Sequence, residues 1–216
     1  MIQLAQSKDC PLCQSISCYY LQDKHREYWQ CERCHLVWVP SCFYLSPTDE
    51  KAYYDTHENN PNDAGYRNFL SRLATPLLER LPPESKGLDY GSGPGPTLSR
   101  MLSEAGHPTA IYDPYYANIP AVLEKKFDFI TCTEVIEHIY DPIDTIEQWL
   151  HMLKPNGIIG LMTKLVIDKD RFANWHYKND PTHVCFYSTH TFEWLAQHYD
   201  FQVEFVGADV IFLYKG

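Results

Sequence analysis

Gly87-Leu88-Asp89-Tyr90-Gly91-Ser92-Gly93-Pro94-Gly95-Pro96 is the stretch that decides the fold of this 216-residue chain. It reads as a buried strand that ends in a tight turn and then opens a helix. Glycine is needed there because the backbone bends sharply and a ligand must approach more closely than a Cβ would permit. A short apolar run ending in Asp113 follows, and a carboxylate at the tip of a second strand suits a ribose diol. The two pieces predict a nucleoside-bearing cofactor on a doubly wound α/β sheet.

The order of the glycines distinguishes between two such cofactors. A dinucleotide site is expected to read G-x-G-x-x-G, with a helix N-terminus free to hold a pyrophosphate. Here the order is G-x-G-x-G, and Pro96 stands where the third glycine would be. Asp89, two residues before the first glycine, would repel a pyrophosphate but suits the ammonium group of S-adenosylmethionine. The pattern therefore predicts S-adenosylmethionine rather than NAD.

Two later segments resemble motifs of the class I S-adenosylmethionine-dependent methyltransferases. Residues 127–138, FDFITCTEVIEH, are similar to the fourth-strand motif, and residues 153–163, LKPNGIIGLMT, to the turn and fifth strand that follow it. The resemblance covers about residues 64–216 and is nearest to bacterial small-molecule and quinone-type methyltransferases. It implies a Rossmann-like class I sheet and methyl transfer, without a particular substrate. The cofactor-binding residues that we expect are Asp89, Tyr90, Gly91, Ser92, Gly93, Gly95, Asp113, Pro114, Thr133 and Glu134.

Half of the eight cysteines form two C-x-x-C pairs near the N-terminus: Cys10 with Cys13, and Cys31 with Cys34. Each pair places two thiolates on one tight turn, and two such turns complete a tetrahedron around zinc. Because four sulfur ligands leave no open position, the predicted zinc is structural. A redox pair of thiols is the competing interpretation, which two pairs at this spacing disfavour. The remaining cysteines are expected to be buried thiols: Cys18, Cys42, Cys132 and Cys185.

The chain is predicted to have three parts: a small zinc ribbon over residues 1–45, a linker or lid over 46–65, and the methyltransferase domain over 66–216. Thirteen residues separate Asp113 from Phe127, too few for a full helix and strand. We therefore expect a shortened third-strand region, with a short strand near Ile119. Tyr53, Tyr54 and Tyr66, in and next to the linker, either contact the cofactor or anchor the segment.

Composition limits the partners. The net charge of −10 argues against a broad phosphate-binding face, since affinity for nucleic acid rests mainly on Lys and Arg. No apolar run approaches the length of a membrane span, and the first residues lack the apolar core of a signal peptide. A cytoplasmic protein without a nucleic-acid or membrane partner is predicted, and a monomer and a dimer are both compatible with the sequence.

Candidate catalytic residues follow the fourth and fifth strands. Glu134, Glu137 and His138 stand at i, i+3 and i+4, so one helical turn presents them together. Three roles are open for these residues: binding of a divalent cation, a general base supplied by His138 or Glu137, or only shaping of the cofactor pocket. In the polar and aromatic segment 172–188, His176 and His183 are candidates for the base that deprotonates an acceptor. For His183 the alternative is a structural bond to Asp180.

These observations predict an enzyme that moves a methyl group from S-adenosylmethionine to a hydroxyl, amine or carbon of a small-molecule acceptor. Two alternatives stay open. An RNA base methyltransferase would use the ribbon to bind RNA, and Lys24, His25 and Arg26 are the one basic cluster in that part of the sequence. A non-enzymatic zinc-binding scaffold would have lost the chemistry, which the intact Asp89 and Asp113 disfavour.

Overall fold

The N-terminal part of the chain forms a small antiparallel sheet. A computed structural model describes residues 8–56 and 60–216. The first four strands pair antiparallel in sequence order through three short connections. They are β1 (Lys8–Asp9), β2 (Ile16–Gln22), β3 (Glu27–Cys31) and β4 (Val37–Trp38).

The central sheet begins with four parallel strands in the spatial order β6-β5-β7-β8. The strands are β5 (Gly87–Tyr90), β6 (Thr109–Tyr112), β7 (Phe127–Thr133) and β8 (Leu153–Met162). The short strand β9 (Cys185–Phe186) belongs to the other sheet, beside β4. An antiparallel hairpin of β10 (Phe201–Val206) and β11 (Val210–Lys215) completes the central sheet, with β11 next to β8. The closing hairpin and the doubly wound order agree with the class I resemblance.

Helices cover both faces of the central sheet. Several begin at a capping side chain, such as Asp63, which accepts from the Tyr66 amide, and Ser188, which forms a capping box with Thr191. In the described parts of the chain, no helix has both the length and the apolar character of a membrane span. The helices are α1 (Pro47–Tyr54), α2 (Ala64–Leu78), α3 (Thr97–Glu104), α4 (Pro142–Met152), α5 (Lys169–Ala173) and α6 (Thr189–Tyr199).

The region between β6 and β7 is shorter than a strand-bearing connection. It contains an isolated bridge between Asp113 and Ala117 and a 3₁₀ turn over Pro120–Val122. The predicted shortening of the third-strand region is confirmed, but the short strand expected near Ile119 is wrong. Too few residues remain there to cross back to the sheet edge, so β6 is an edge strand of the central sheet.

The ribbon is joined to the methyltransferase part by strand pairing and by a shared core. Strand β4 pairs with β9, in the register Val37 with Phe186 and Trp38 with Cys185. Apolar residues of both parts belong to one buried cluster, in which the Tyr28 and Phe172 rings meet edge to face at 5.1 Å. Removal of the ribbon would therefore expose the core surface beneath it.

Candidate functional site

A cavity of about 940 Å³ opens at the carboxyl ends of the central parallel strands. Its walls come from the segments that follow β5, β6, β7 and β8, and from α1. Open parallel α/β sheets bind ligands outside these strand ends, where the strand order reverses. The cavity is therefore the candidate active site.

The turn after β5 has the backbone conformation that the glycines predict. Gly91 has φ of +77° and Gly93 has φ of +64°, in the region where a side chain is unfavourable. A Cβ on Gly91 would lie 2.5 Å from the methyl carbons of Val135. Glycine is thus required at Gly91 both by the turn and by the close approach of the next segment.

Asp113 organises the loop around it. Its Oδ2 accepts from the Gly93 amide at 2.9 Å, and its Oδ1 accepts from the amides of Tyr115 at 2.8 Å and Tyr116 at 3.0 Å. Each carboxylate oxygen offers about two acceptor positions. The two amides therefore occupy Oδ1 fully, and Oδ2 keeps one position for a ligand hydroxyl. The predicted ribose carboxylate lies on the cavity wall.

Asp89 is held below the turn by two other elements. It accepts from the Thr131 hydroxyl at 2.9 Å and from the Ser99 amide at 3.3 Å. Burial raises the pKa of Asp89 to about 7, because the charged carboxylate is poorly solvated there. A bound ammonium group would favour the ionised form of this side chain.

The Ser92 hydroxyl oxygen and Glu134 Oε1 are among the buried polar atoms on the cavity wall that have no hydrogen-bond partner within the described residues. Buried polar atoms are ordinarily hydrogen-bonded. Glu134 also has φ of +50°, an unfavourable conformation for a residue with a side chain. Burial raises the pKa of Glu134 above its ordinary value, although the Lys164 ammonium opposes this. These features suit a polar ligand in the cavity.

Most of the predicted cofactor residues line the cavity. Gly95 instead lies behind the turn, where its carbonyl accepts from the Thr97 amide at 2.7 Å. The residues on the cavity wall are Asp89, Tyr90, Gly91, Ser92, Gly93, Asp113, Pro114, Thr133 and Glu134.

His183 is buried at the far wall of the cavity with a defined orientation. Its Nδ1 lies 2.7 Å from the Tyr177 carbonyl, which can only accept, so Nδ1 donates and Nε2 carries the lone pair. Nε2 lies 3.8 Å from Asp180 Oδ2. Burial lowers the pKa of His183 to about 4, which keeps the imidazole neutral and able to accept a proton at pH 7.

The other two histidines that are candidate bases, His138 and His176, occupy different environments. The His138 ring packs against the His183 ring with centroids 4.6 Å apart, and burial lowers the pKa of His138 to about 3. Its Nδ1 is buried without a hydrogen-bond partner. His176 is exposed at the rim of the cavity, where its Nε2 lies 3.3 Å from Lys164 Nζ.

Glu137 lies behind the cavity wall, fully buried. It accepts from the Tyr177 hydroxyl and, at 3.0 Å, from the Thr163 hydroxyl. The predicted grouping of Glu134, Glu137 and His138 is not the one that converges most closely. Ligand atoms of Glu137, His138 and His183 lie within 4.8 Å of one another, although both oxygens of Glu137 already accept hydrogen bonds.

Glu137 makes stability depend on pH. Burial, with the nearby Glu134 carboxylate, raises the pKa of Glu137 from 4.5 to about 8. The folded protein therefore binds more protons between these pH values, and the contribution present below pH 4.5 is lost as pH rises through 8. We expect Glu137→Gln to be increasingly stable relative to wild type from pH 6 to pH 9, by more than about 1.4 kcal/mol, the equivalent of one pKa unit.

Urea unfolding at several pH values across this range measures the difference. Glu124→Gln is the matched control, because Glu124 is exposed, and its difference from wild type should not change with pH. A Glu137→Gln difference that stays constant over the same range would contradict a neutral Glu137 in the folded protein.

Helix α1 supplies site residues that the sequence analysis missed. Glu50 is buried beside the cavity and accepts from the Tyr54 hydroxyl at 2.9 Å and the Tyr115 hydroxyl at 2.7 Å. The Tyr116 hydroxyl likewise donates to Asp55 at 2.6 Å. Ser46, Pro47 and Asp49 form a helix-start pattern that would have predicted α1 within the supposed linker.

The four cysteines of the two C-x-x-C pairs converge at one point. Their Sγ atoms all lie within 4.8 Å of one another, with 3.6 Å between Cys10 and Cys34 and 3.3 Å between Cys13 and Cys31. Four sulfurs about 2.3 Å from a tetrahedral zinc ion stand about 3.8 Å apart. The donor set and its spacing fit zinc.

The two cysteine turns have the same backbone form. Gln14 and His35, which follow the second cysteine of each pair, have φ of +56° and +57°. Each donates its amide to the carbonyl of the first cysteine, at 2.9 Å for Gln14 and 3.2 Å for His35. Among the other cysteines, Cys132 and Cys185 are buried as predicted, but Cys18 and Cys42 are exposed, so their predicted burial is wrong.

Comparison with known proteins identifies relatives of the chain. A ubiquinone biosynthesis O-methyltransferase from Actinobacillus pleuropneumoniae is 33% identical over 82 residues, which make up 36% of this chain and 35% of that protein. The corresponding protein from Nitrosospira multiformis is 26% identical over 121 residues, 50% of this chain and 51% of that protein. The chain thus spans between about a third and a half of the length of these curated relatives.

Two solved structures have the same fold. Magnesium protoporphyrin IX methyltransferase from Synechocystis, solved with bound SAH, has a TM-score of 0.55 at 13% identity, covering 79% of this chain and 95% of that one. The 1,6-didemethyltoxoflavin-N1-methyltransferase from Burkholderia thailandensis has a TM-score of 0.55 at 15% identity, covering 91% and 98%. The predicted class I methyltransferase fold is confirmed. A family model described as a methyltransferase domain matches residues 63–205, more than half of the chain, and the chain therefore belongs to the methyltransferase domain family.

Proposed function

We propose that this protein transfers a methyl group from S-adenosylmethionine to a small-molecule acceptor, with His183 as the general base. The observation that carries the proposal is that the predicted cofactor-binding residues and the candidate base line the same cavity. The glycine turn and Asp113 form one wall, and the neutral imidazole of His183 faces them from another. Solved relatives of the same fold hold S-adenosylhomocysteine, which supports the choice of cofactor.

The first wall suits S-adenosylmethionine. The unpartnered Ser92 hydroxyl and Glu134 Oε1 accommodate polar groups of a ligand, Asp113 suits the ribose diol, and Asp89 suits the ammonium group. When bound, S-adenosylmethionine supplies an activated methyl group attached to a sulfonium. The protein then has to align the acceptor atom and remove its proton.

His183 suits this second task because its tautomer is set by its surroundings. The Tyr177 carbonyl fixes the proton on Nδ1, so Nε2 accepts the acceptor's proton. The Asp180 carboxylate, 3.8 Å from Nε2, stabilises the resulting imidazolium. Glu137 holds the Tyr177 ring from behind, and we assign it a positioning role.

The cavity suits a small acceptor, a hydroxyl, amine or carbon nucleophile. We propose that the described part of the predicted lid acts as its cover, since Glu50, Tyr53 and Tyr54 line it. Residues 57–59 of that predicted lid lie outside the described residues. An RNA acceptor is less compatible with the ribbon surface, because Arg26 is buried and only Lys24 and His25 of the basic cluster are exposed. We also propose one structural zinc ion on Cys10, Cys13, Cys31 and Cys34, leaving no open metal position.

Titration with S-adenosylhomocysteine by calorimetry tests the cofactor assignment. Wild type should bind one equivalent, and Asp113→Asn should bind at least about tenfold more weakly, because a hydrogen bond to a charged group contributes about 1.5–3 kcal/mol. Asparagine keeps the size of the side chain and part of its acceptor capacity, which limits damage to the turn.

Asp144→Asn is the matched control, since Asp144 is exposed on α4 and should leave the affinity unchanged. Equal affinity of Asp113→Asn and wild type would refute the ribose assignment. Failure of wild type to bind S-adenosylhomocysteine would favour the zinc scaffold without enzyme activity.

A further inference from the structure

We propose that the zinc ribbon supports the acceptor site from outside the cavity, and that its Arg26 is a positioning residue for His183. The inference deepens the proposed function and rests on it. The segment concerned is residues 178–183, which we call the acceptor loop. It carries Asp180 and His183, and both line the cavity.

Arg26 binds the acceptor loop through its backbone. Its Nη1 donates to the carbonyls of His183 at 2.8 Å and Pro181 at 3.2 Å, and its Nη2 donates to the carbonyls of Asp180 at 2.9 Å and Lys178. One guanidinium thus serves four carbonyls of a six-residue loop. The planar fork of five N–H donors is unique to arginine among the side chains, so no other residue type replaces this arrangement.

Burial makes the interaction consequential. Arg26 is 7% exposed, and the carbonyls of the loop face it rather than a neighbouring strand. The Lys178 carbonyl also accepts from the Tyr28 hydroxyl, and the Asp180 carbonyl from the His183 amide, both at 3.3 Å. The Pro181 and His183 carbonyls therefore depend most on Arg26, and a buried carbonyl that loses its donor incurs a desolvation penalty. Arg26 contacts the loop backbone and not the cavity, which makes its role one of positioning.

A second ribbon residue binds the start of the loop. Asp23 accepts from the buried Lys178 ammonium at 2.7 Å and from the Tyr28 hydroxyl at 2.8 Å. Burial alone would raise the pKa of Asp23, but the Lys178 ammonium and the Arg26 and His25 amides hold it well below its ordinary value. Asp23 is therefore ionised at neutral pH and keeps the ion pair with Lys178.

Strand pairing binds the end of the loop. Val184 accepts through its carbonyl from the Val39 amide at 2.9 Å, on the ribbon side. Its own amide donates to the Glu137 carbonyl at 2.8 Å, on the side of the central sheet. The residue next to His183 is thus held between the ribbon and the segment after β7, and the imidazole position depends on both.

Arg26→Gln and Arg26→Lys test the proposal in the full-length, zinc-loaded protein. For Arg26→Gln we expect amide hydrogen exchange in peptides covering residues 176–184 to become at least tenfold faster, while zinc content and S-adenosylhomocysteine affinity stay within twofold of wild type. Arg26→Lys keeps the charge and fewer donors, and should give a smaller increase. Lys24→Gln, an exposed change two residues away, should leave exchange unchanged.

A spectroscopic readout separates positioning of the imidazole from general loosening. The ¹⁵N signals of the His183 ring, assigned by their loss in His183→Asn, should report a single Nδ1–H tautomer in wild type. In Arg26→Gln these signals should shift toward a mixture of tautomers, because the hydrogen bond from His183 Nδ1 to the Tyr177 carbonyl is no longer held in place. Lysine at this position should restore part of the single-tautomer signal.

Three results would overturn the inference. One is unchanged exchange in residues 176–184 of Arg26→Gln with normal zinc content. Another is faster exchange spread evenly over the ribbon and the central sheet, which indicates global destabilisation, and a third is an unaltered His183 tautomer. If any of these results is obtained while wild type binds S-adenosylhomocysteine, only the role of Arg26 is refuted. If wild type does not bind S-adenosylhomocysteine, the proposed function is refuted as well.

Discussion

Replacing Cys34 by alanine is expected to remove the bound zinc and to unfold the ribbon, the largest loss of stability that we anticipate for a single substitution. Cys34 is fully buried and its Sγ lies 3.6 Å from that of Cys10. Three thiolates do not complete the tetrahedral site, and structural zinc contributes about 10–16 kcal/mol of apparent binding free energy in small zinc domains. Segments of about 40 residues rarely fold without a metal, disulfides or a partner.

Metal content by elemental mass spectrometry and thermal unfolding by circular dichroism measure the effect. Wild type should contain one zinc per chain and Cys34→Ala less than a tenth of that, with a lower or broadened transition. Cys42→Ala is the matched control, because Cys42 is an exposed cysteine outside the cluster. A Cys34→Ala protein with full metal content and the wild-type transition would rule out the four-cysteine site.

Replacing His183 by asparagine is expected to lower methyl transfer by about 10² to 10⁴, the usual contribution of a general base. Asparagine keeps a donor for the Tyr177 carbonyl but has no basic nitrogen where Nε2 lies. The affinity for S-adenosylhomocysteine should stay within twofold, because Asp113 and the glycine turn lie on another wall of the cavity. Release of S-adenosylhomocysteine from S-adenosylmethionine, measured with a panel of phenols, catechols and amines, gives the rate.

Two further variants distinguish the candidate bases. His176→Asn changes an exposed imidazole at the cavity rim and should reduce the rate less than tenfold. His151→Asn, on the exposed face of α4, is the matched control and should leave it unchanged. A rate that survives in His183→Asn and falls in His176→Asn would reverse the assignment.

Features that depend on local spacing were predictable from the sequence. The turn around Gly91 and Gly93 was predictable because positive φ values and close approach both require glycine there. The cysteine pairs were predictable because two thiolates three residues apart share one turn. Asp113 follows β6 directly, and the carboxyl ends of neighbouring parallel strands meet at one edge, so its place beside the glycine turn followed as well.

Features that depend on long-range contacts were not predictable from the sequence. Arg26 reads as a member of an exposed basic cluster, and only its contact with residues 178–183 shows that it is buried. The absence of a strand near Ile119 could not be predicted, because it depends on how far the chain must extend to reach the sheet edge. Glu137 and His138 share the 3₁₀ turn Ile136–His138, whereas Glu134 lies outside it at φ of +50°. The burial of Glu137 behind Tyr177 depends on the segment after β8.

The pairing of β4 with β9 has a consequence for synthesis of the chain on the ribosome. Trp38 pairs with Cys185, so β9, the fifth strand of the sheet that the ribbon strands form, is translated long after the other four. At usual elongation rates the interval is roughly ten seconds, during which β4 presents an unpaired edge and apolar side chains to the nascent-chain environment. Because β9 is the strand that covers this edge, zinc binding by the four cysteines would not shorten the exposure, which ends only when residues 185–186 have been synthesised.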